Sequence, residues 1–212
     1  MASIASRLVP AQGSRPAAFR AAPAGESPPR LVLLARTDAG FRRDWCELFA
    51  QEGYDTLAPE LAEGRAGPGD LALLADLAGG FDGNRGGTGI GVVGLDCCAE
   101  LAAAGVRAGL IDVGVVFSDR DLQGLSGDRA FPRPFAVHLS LGQGAELEAV
   151  QAAADRLDLQ LFATEAQAGF VVPGSPAYDR HAAAVAHSRT LSVLRPVLGP
   201  KLDLGRLFRG HL

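Results

Sequence analysis

Ten residues, Ile90 to Ala99 (IGVVGLDCCA), constrain this chain more than any other segment. Gly91, Val92 and Val93 read as a short buried strand, Gly94-Leu95-Asp96-Cys97-Cys98 as a sharp turn, and Ala99 to Ala104 as the helix behind it. Strand, tight turn and helix in that order is the setting in which G-x-nucleophile-x-G motifs lift a reactive side chain above a sheet. A hydroxyl or thiol belongs at the centre of such a turn, and here the residue is Asp96. The segment therefore predicts a fold and leaves its chemistry open.

The flanking sequence agrees with a parallel sheet covered on both faces, because strand-like and helix-like segments alternate. Ala17 to Ala21 reads as a strand ending in a turn at Pro23-Ala24-Gly25, and Leu31 to Ala35 is a continuous apolar run. Phe41, Trp45, Leu48 and Phe49 recur at helical spacing, with Gly53 placed to end that helix. Further strands are predicted at Asp55–Ala58, Val113–Phe117, Phe135–Ser140 and Gln160–Ala163, and further helices at Leu71–Leu77, Ala145–Ala154 and Tyr178–Leu194. The glycine-rich stretch from 79 to 91 reads as a loop entering the central strand. A chain of 212 residues, 48% of them hydrophobic, suits one domain with a full core. We expect that domain to span residues 1–198 and to be followed by a tail, 199–212.

Several function classes are disfavoured. A net charge of -4 offers no basic face for nucleic acid. No apolar run approaches the roughly 18 to 20 residues that span a bilayer, so a soluble, cytoplasmic protein is expected. The amino-terminal Ser, Ala and Arg bias looks like a transit peptide but lacks a signal-peptide apolar core. Lys201 is the only lysine, and this arginine bias, with abundant Ala and Gly, resembles a high-GC bacterial coding sequence. Three cysteines, two of them adjacent at Cys97 and Cys98, form neither a disulfide framework nor a zinc ligand set. The four histidines form no ligand cluster: His138 sits in a strand, His181 and His187 are six apart on one helix, and His211 is in the tail. No metal and no cofactor is expected. Gly89-Ile90-Gly91-Val92-Val93-Gly94 does match the dinucleotide fingerprint, with Asp112 at a plausible distance for ribose. Its context is wrong, because the strand lies inside the motif and not before it.

Taken in order, several short motifs resemble the dienelactone hydrolase family of the α/β-hydrolase superfamily. They run from Pro23-Ala24-Gly25 through Leu33-Leu34-Ala35-Arg36, Glu52-Gly53-Tyr54 and Leu57-Ala58-Pro59 to Ile90-Gly91-Val92-Val93-Gly94. They end with Gly169-Phe170, Pro173-Gly174-Ser175-Pro176 and Tyr178-Asp179. The resemblance implies an α/β-hydrolase fold, with a mostly parallel central sheet and helices on both faces.

What the resemblance implies about chemistry is loss. The family's cysteine nucleophile is matched by Asp96, its acid by Ala145, its histidine by Ala168, and its His-Glu pair after the first central strand by Ala35-Arg36. Alanine at two triad positions can neither take a proton nor orient a base. Asp96 could attack carbon directly, but hydrolysis of the resulting ester needs a base-activated water. Glu146, beside the vacant acid position, would have nothing to orient. Asp96 also has a structural explanation, since Asp tolerates the positive φ of such a turn and a carboxylate suits a helix N-terminus. The former active-site pocket would comprise Arg36, Cys97 and Phe170, with the Cys97 N–H in any oxyanion hole.

Three functions follow. The leading one is a pseudoenzyme acting as a binding or assembly subunit. The second is an active hydrolase of an ester, lactone or carbon-halogen bond through Asp96. The third is a protein holding a small molecule in the former active site. Two contacts are also expected. The tail, where Leu202, Leu204, Leu207, Phe208 and Leu212 alternate with Arg206 and Arg209, should dock on another protein subunit or fold back on its own domain. Arg36 should form an ion pair with Asp96 inside the old site.

Overall fold

The structure, a computed structural model, describes residues 3–13, 15–24, 27–61, 68–79, 81, 89–118, 129–141 and 147–200. The tail from Lys201, and Ala145, Glu146 and His211, lie outside the described residues.

Among the described residues, eight strands form one sheet: β1 (Ile4–Val9), β2 (Ala18–Pro23), β3 (Arg30–Leu34), β4 (Asp55–Pro59), β5 (Ile90–Leu95), β6 (Val113–Ser118), β7 (Phe135–Ser140) and β8 (Gln160–Thr164). Their spatial order is β1-β2-β4-β3-β5-β6-β7-β8. β1 and β2 are antiparallel to their neighbours and every other pairing is parallel. Among the described residues, five helices accompany the sheet: α1 (Ala39–Gln51), α2 (Pro68–Gly79), α3 (Ala99–Arg107), α4 (Leu147–Leu157) and α5 (Arg180–Leu198).

β1 is absent from the sequence reading. Its residues, IASRLV, show no apolar run, and four of the six are exposed at the sheet edge. It forms because β2 offers six register partners, from Ile4 opposite Pro23 to Val9 opposite Ala18. The interior strands read correctly because both of their faces are buried, which demands a continuous apolar run.

Side chains alternate across the sheet and sort the core into two layers. Val32, Leu34, Val92 and Val116 face α2, α3 and α4, where Leu74, Val106 and Leu157 meet them. Leu31, Leu33, Val93 and Val115 face α1 and α5, where Phe49, Leu191 and Leu194 meet them. Each such leucine, wholly removed from water, contributes about 1.5 to 3 kcal/mol.

Local chemistry sets the ends of the two helices on this second face. Asp38 caps α1 by accepting from the Phe41 N–H at 2.9 Å, and Gly53, at φ 97°, closes it as expected. Asp179 accepts from the His181 and Ala182 N–H groups, so α5 begins at Arg180 and not at Tyr178. It also outruns its predicted end at Leu194: Pro196 removes one donor, yet Leu198 is buried in the core and holds the last turn.

Candidate functional site

β5 carries the site. The strand includes Gly94 and Leu95, which the sequence reading assigned to the turn, and the turn itself is one 3-10 turn, Asp96–Cys98, leading into α3. Asp96 takes φ 45°, the left-handed conformation expected at the tip. Gly94 is required by close approach: a Cβ there would lie 3.0 Å from both the Ala102 Cβ and the Cys98 carbonyl oxygen. The elbow backbone is therefore present, although neither the 3-10 turn nor α3 has a side-chain cap hydrogen bond. Asp96 is the acid of the 3-10 turn's first turn and Glu100 that of α3.

The register brings Arg36 and Asp96 to one end of the sheet. Leu34 pairs with Gly94, and each charged residue lies two positions further along. The predicted ion pair nevertheless does not form, for no salt bridge joins Arg36 to Asp96 among the described residues. The left-handed turn leaves Asp96 exposed, where a guanidinium partner would contribute little, and its contacts are made elsewhere. Arg36 is half-buried and its Nε is sequestered without an acceptor.

Both charges are felt by Cys98, which stands where G-x-nucleophile-x-G places its second glycine. Burial pushes this thiol up to about 12, helped by Cys97 and Asp96 and opposed by Arg36. A thiol so protonated at neutral pH is not a nucleophile. Cys97 is half-buried beside the tip.

The segment matched to the family's histidine loop follows β8. Hydrogen bonds from Phe170 N–H to the Gln167 carbonyl and from Val172 N–H to the Gly169 carbonyl, at 3.1 and 3.0 Å, fix its shape. Gly169 adopts φ 83°. Phe170 turns inward, its ring centroid 6.2 Å from that of Phe117, and Ala168 is exposed.

His138 and His187 are engaged elsewhere. His138 lies between Phe117 and Phe162, with ring centroids at 4.4 and 4.9 Å, and its Nε2 is 3.1 Å from the Thr190 hydroxyl. Burial lowers its pKa to about 3, so it is the neutral core residue its strand position implied. His187 packs on Phe49 and lies 3.7 Å from Glu52; burial lowers its pKa against the opposing pull of that carboxylate. Asp112 accepts from the Ile90 N–H at 2.9 Å and so caps β5, and the glycine fingerprint is strand, not a phosphate loop. Among the described residues no group of three or more His, Cys, Asp or Glu is placed to hold a metal ion. No described helix is long and apolar enough to cross a membrane.

Two features escaped the sequence reading. Arg20 binds Asp55 through two hydrogen bonds, at 2.9 and 2.7 Å, across the β2–β4 seam. A cavity of about 500 Å³ lies between α1, α5 and the turn through Val171 and Pro173. The i, i+4 spacing of Phe41, Trp45 and Phe49 was visible in the sequence, but the facing wall lies more than 130 residues away and gives no local signal.

No protein-family model and no curated protein sequence matches the chain. Solved structures do. A proposed dienelactone hydrolase from Klebsiella pneumoniae shares 18% identity at a TM-score of 0.65, over 91% of this chain and 98% of that one. A dienelactone hydrolase-like promiscuous phosphotriesterase from metagenomic libraries shares 17% at 0.64, over 92% and 99%. An esterase from Pyrobaculum calidifontis shares 16% at 0.59, over 90% and 86%. At these identities the likeness is one of fold: this chain has the α/β-hydrolase fold.

Proposed function

We propose that the protein is a dienelactone-hydrolase-like member of the α/β-hydrolase superfamily that binds without turning over, acting as a binding or assembly subunit. One observation carries this reading: the elbow keeps its left-handed residue while presenting the carboxylate of Asp96, and the loop after β8 presents Ala168. An anion fixed at the tip opposes a developing oxyanion, and without a base no covalent ester at Asp96 would be released. The third triad position, Ala145, lies outside the described residues, and its identity supports the same reading.

A panel of lactones and activated esters tests this. No saturable turnover is expected from the parent protein. Turnover that disappears in Asp96→Asn would overturn the reading in favour of a hydrolase using Asp96, the alternative that the exposed carboxylate supports. The partner proposed for an assembly subunit docks through the Lys201–Leu212 segment, a reading that rests on its sequence alone. Removal of that segment should change the oligomeric state or the set of co-purifying proteins. A cytoplasmic location is proposed with it, supported by three free cysteines, of which Cys46 and Cys98 are buried thiols.

A further inference from the structure

We propose that the cavity between α1 and α5 is a binding site for an uncharged aromatic molecule of one or two rings, separate from the elbow and independent of it. Its volume of about 500 Å³ lies within the roughly 300 to 1,000 Å³ of small-molecule sites.

The walls specify the ligand class. Trp45 stands at the centre of an aromatic group, with ring centroids 4.9 Å from Phe41, 6.0 Å from Phe49 and 5.9 Å from Phe117. All four rings border the cavity. Rings that face a void lose dispersion contacts on that side, and a guest ring restores them with the edge-to-face and offset arrangements aromatic groups prefer. The opposite wall is α5, where Ala183 and Ala184 leave the space that longer side chains would fill. Tyr178, 40% exposed, stands at the mouth.

Charge selects against ions. Among the described residues, the charged side chains bordering the cavity are Asp44 and Arg180, of opposite sign, on opposing helices. Asp44 is also 3.7 Å from Arg43. His187, deeper in the wall, is kept neutral by burial, and Thr190 is engaged with His138. A charged guest would lose its hydration without meeting a net countercharge. Arg36, Asp96 and Cys97 do not border this space, so occupancy does not depend on the elbow.

Trp45 is the only tryptophan of the chain, so its indole N–H gives a single, assignable resonance. Titration of the full-length, nitrogen-15-labelled protein with 2-naphthol should shift that resonance to saturation, with a midpoint below about 1 mM. Ala184 and Ser188 are exposed on the α5 wall, so enlarging them should fill the cavity without disturbing the core. Ala184→Phe and Ser188→Phe should each weaken binding at least about tenfold, and 2-naphthoate should bind at least about tenfold more weakly than 2-naphthol. Asp96→Asn should leave binding unchanged. The proposal is overturned by an unshifted Trp45 resonance at the solubility limit, by equal binding of naphthol and naphthoate, by undiminished binding in both filled variants, or by loss of binding in Asp96→Asn.

Discussion

Arg20 reaches Asp55 diagonally across the β2–β4 seam, where its register partner is Leu57, and Arg36 and Asp96 sit at matched positions beyond the ends of β3 and β5. The first two are locked by two hydrogen bonds, with side chains only 18% and 8% exposed, while the second two form no salt bridge. The difference lies in what holds each partner. Arg20 and Asp55 are carried by neighbouring strands and shielded by Phe81, over which the Arg20 guanidinium lies at 5.9 Å from the ring centroid. Asp96 rides a left-handed turn that aims it at solvent, where water competes for the carboxylate. Proximity in register brings charges near one another; only desolvation by fixed neighbours makes the pairing matter energetically.

Asp55→Ala is the sharpest way to break this contrast, and should cost about 1.5 to 3 kcal/mol because the two hydrogen bonds between charged groups are lost. Urea denaturation measures it, and a loss below about 1 kcal/mol would mean that the seam pair contributes no more than an exposed ion pair. The next effect is acid lability at His138. Its pKa is about 3 when folded and 6.5 as an ordinary imidazole, so between these values the unfolded chain binds the extra proton. Stability is therefore complete above pH 6.5 and declines as pH falls toward 3, by about 2 kcal/mol already at pH 5. His138→Gln should flatten that slope, and an unchanged slope would remove His138 as its source. At the elbow, Asp96→Val should cost about 1 to 2 kcal/mol through its left-handed φ alone. Asp96→Gly should be neutral or mildly stabilising. The smallest effect is expected for Arg36→Ala, under about 1 kcal/mol, since no ion pair is broken. A loss equal to that of Asp55→Ala would restore the ion pair that the geometry lacks.

Strands whose two faces are both buried could be read from sequence because burial leaves no freedom to alternate. That is why β3, β5, β6 and β7 fell within one or two residues of their predicted ends. β1 could not, since an exposed edge strand owes its existence to a partner and not to its own composition. The elbow was legible as backbone: the positive φ at Asp96 follows from a tight turn between strand and helix, entered through Gly94. Its side-chain contacts were not, because matched register fixes where Cα atoms lie and not where a guanidinium points. The aromatic half of the α1–α5 cavity was visible as a helical stripe, but a stripe that packs solidly and one that borders a void have the same spacing.

The left-handed residue at position 96 bears on how such a chain can drift. Gly94 and the packing of α3 against β5 maintain that conformation through contacts that do not involve the displayed side chain. Selection on foldability alone therefore suffices to preserve the mount, whatever side chain it carries. A single base change can exchange the group on display, and any side chain that tolerates the turn inherits an exposed place at the carboxyl end of the sheet. Position 96 is in this sense a socket, and the lineage can test new occupants there without refolding the protein around them.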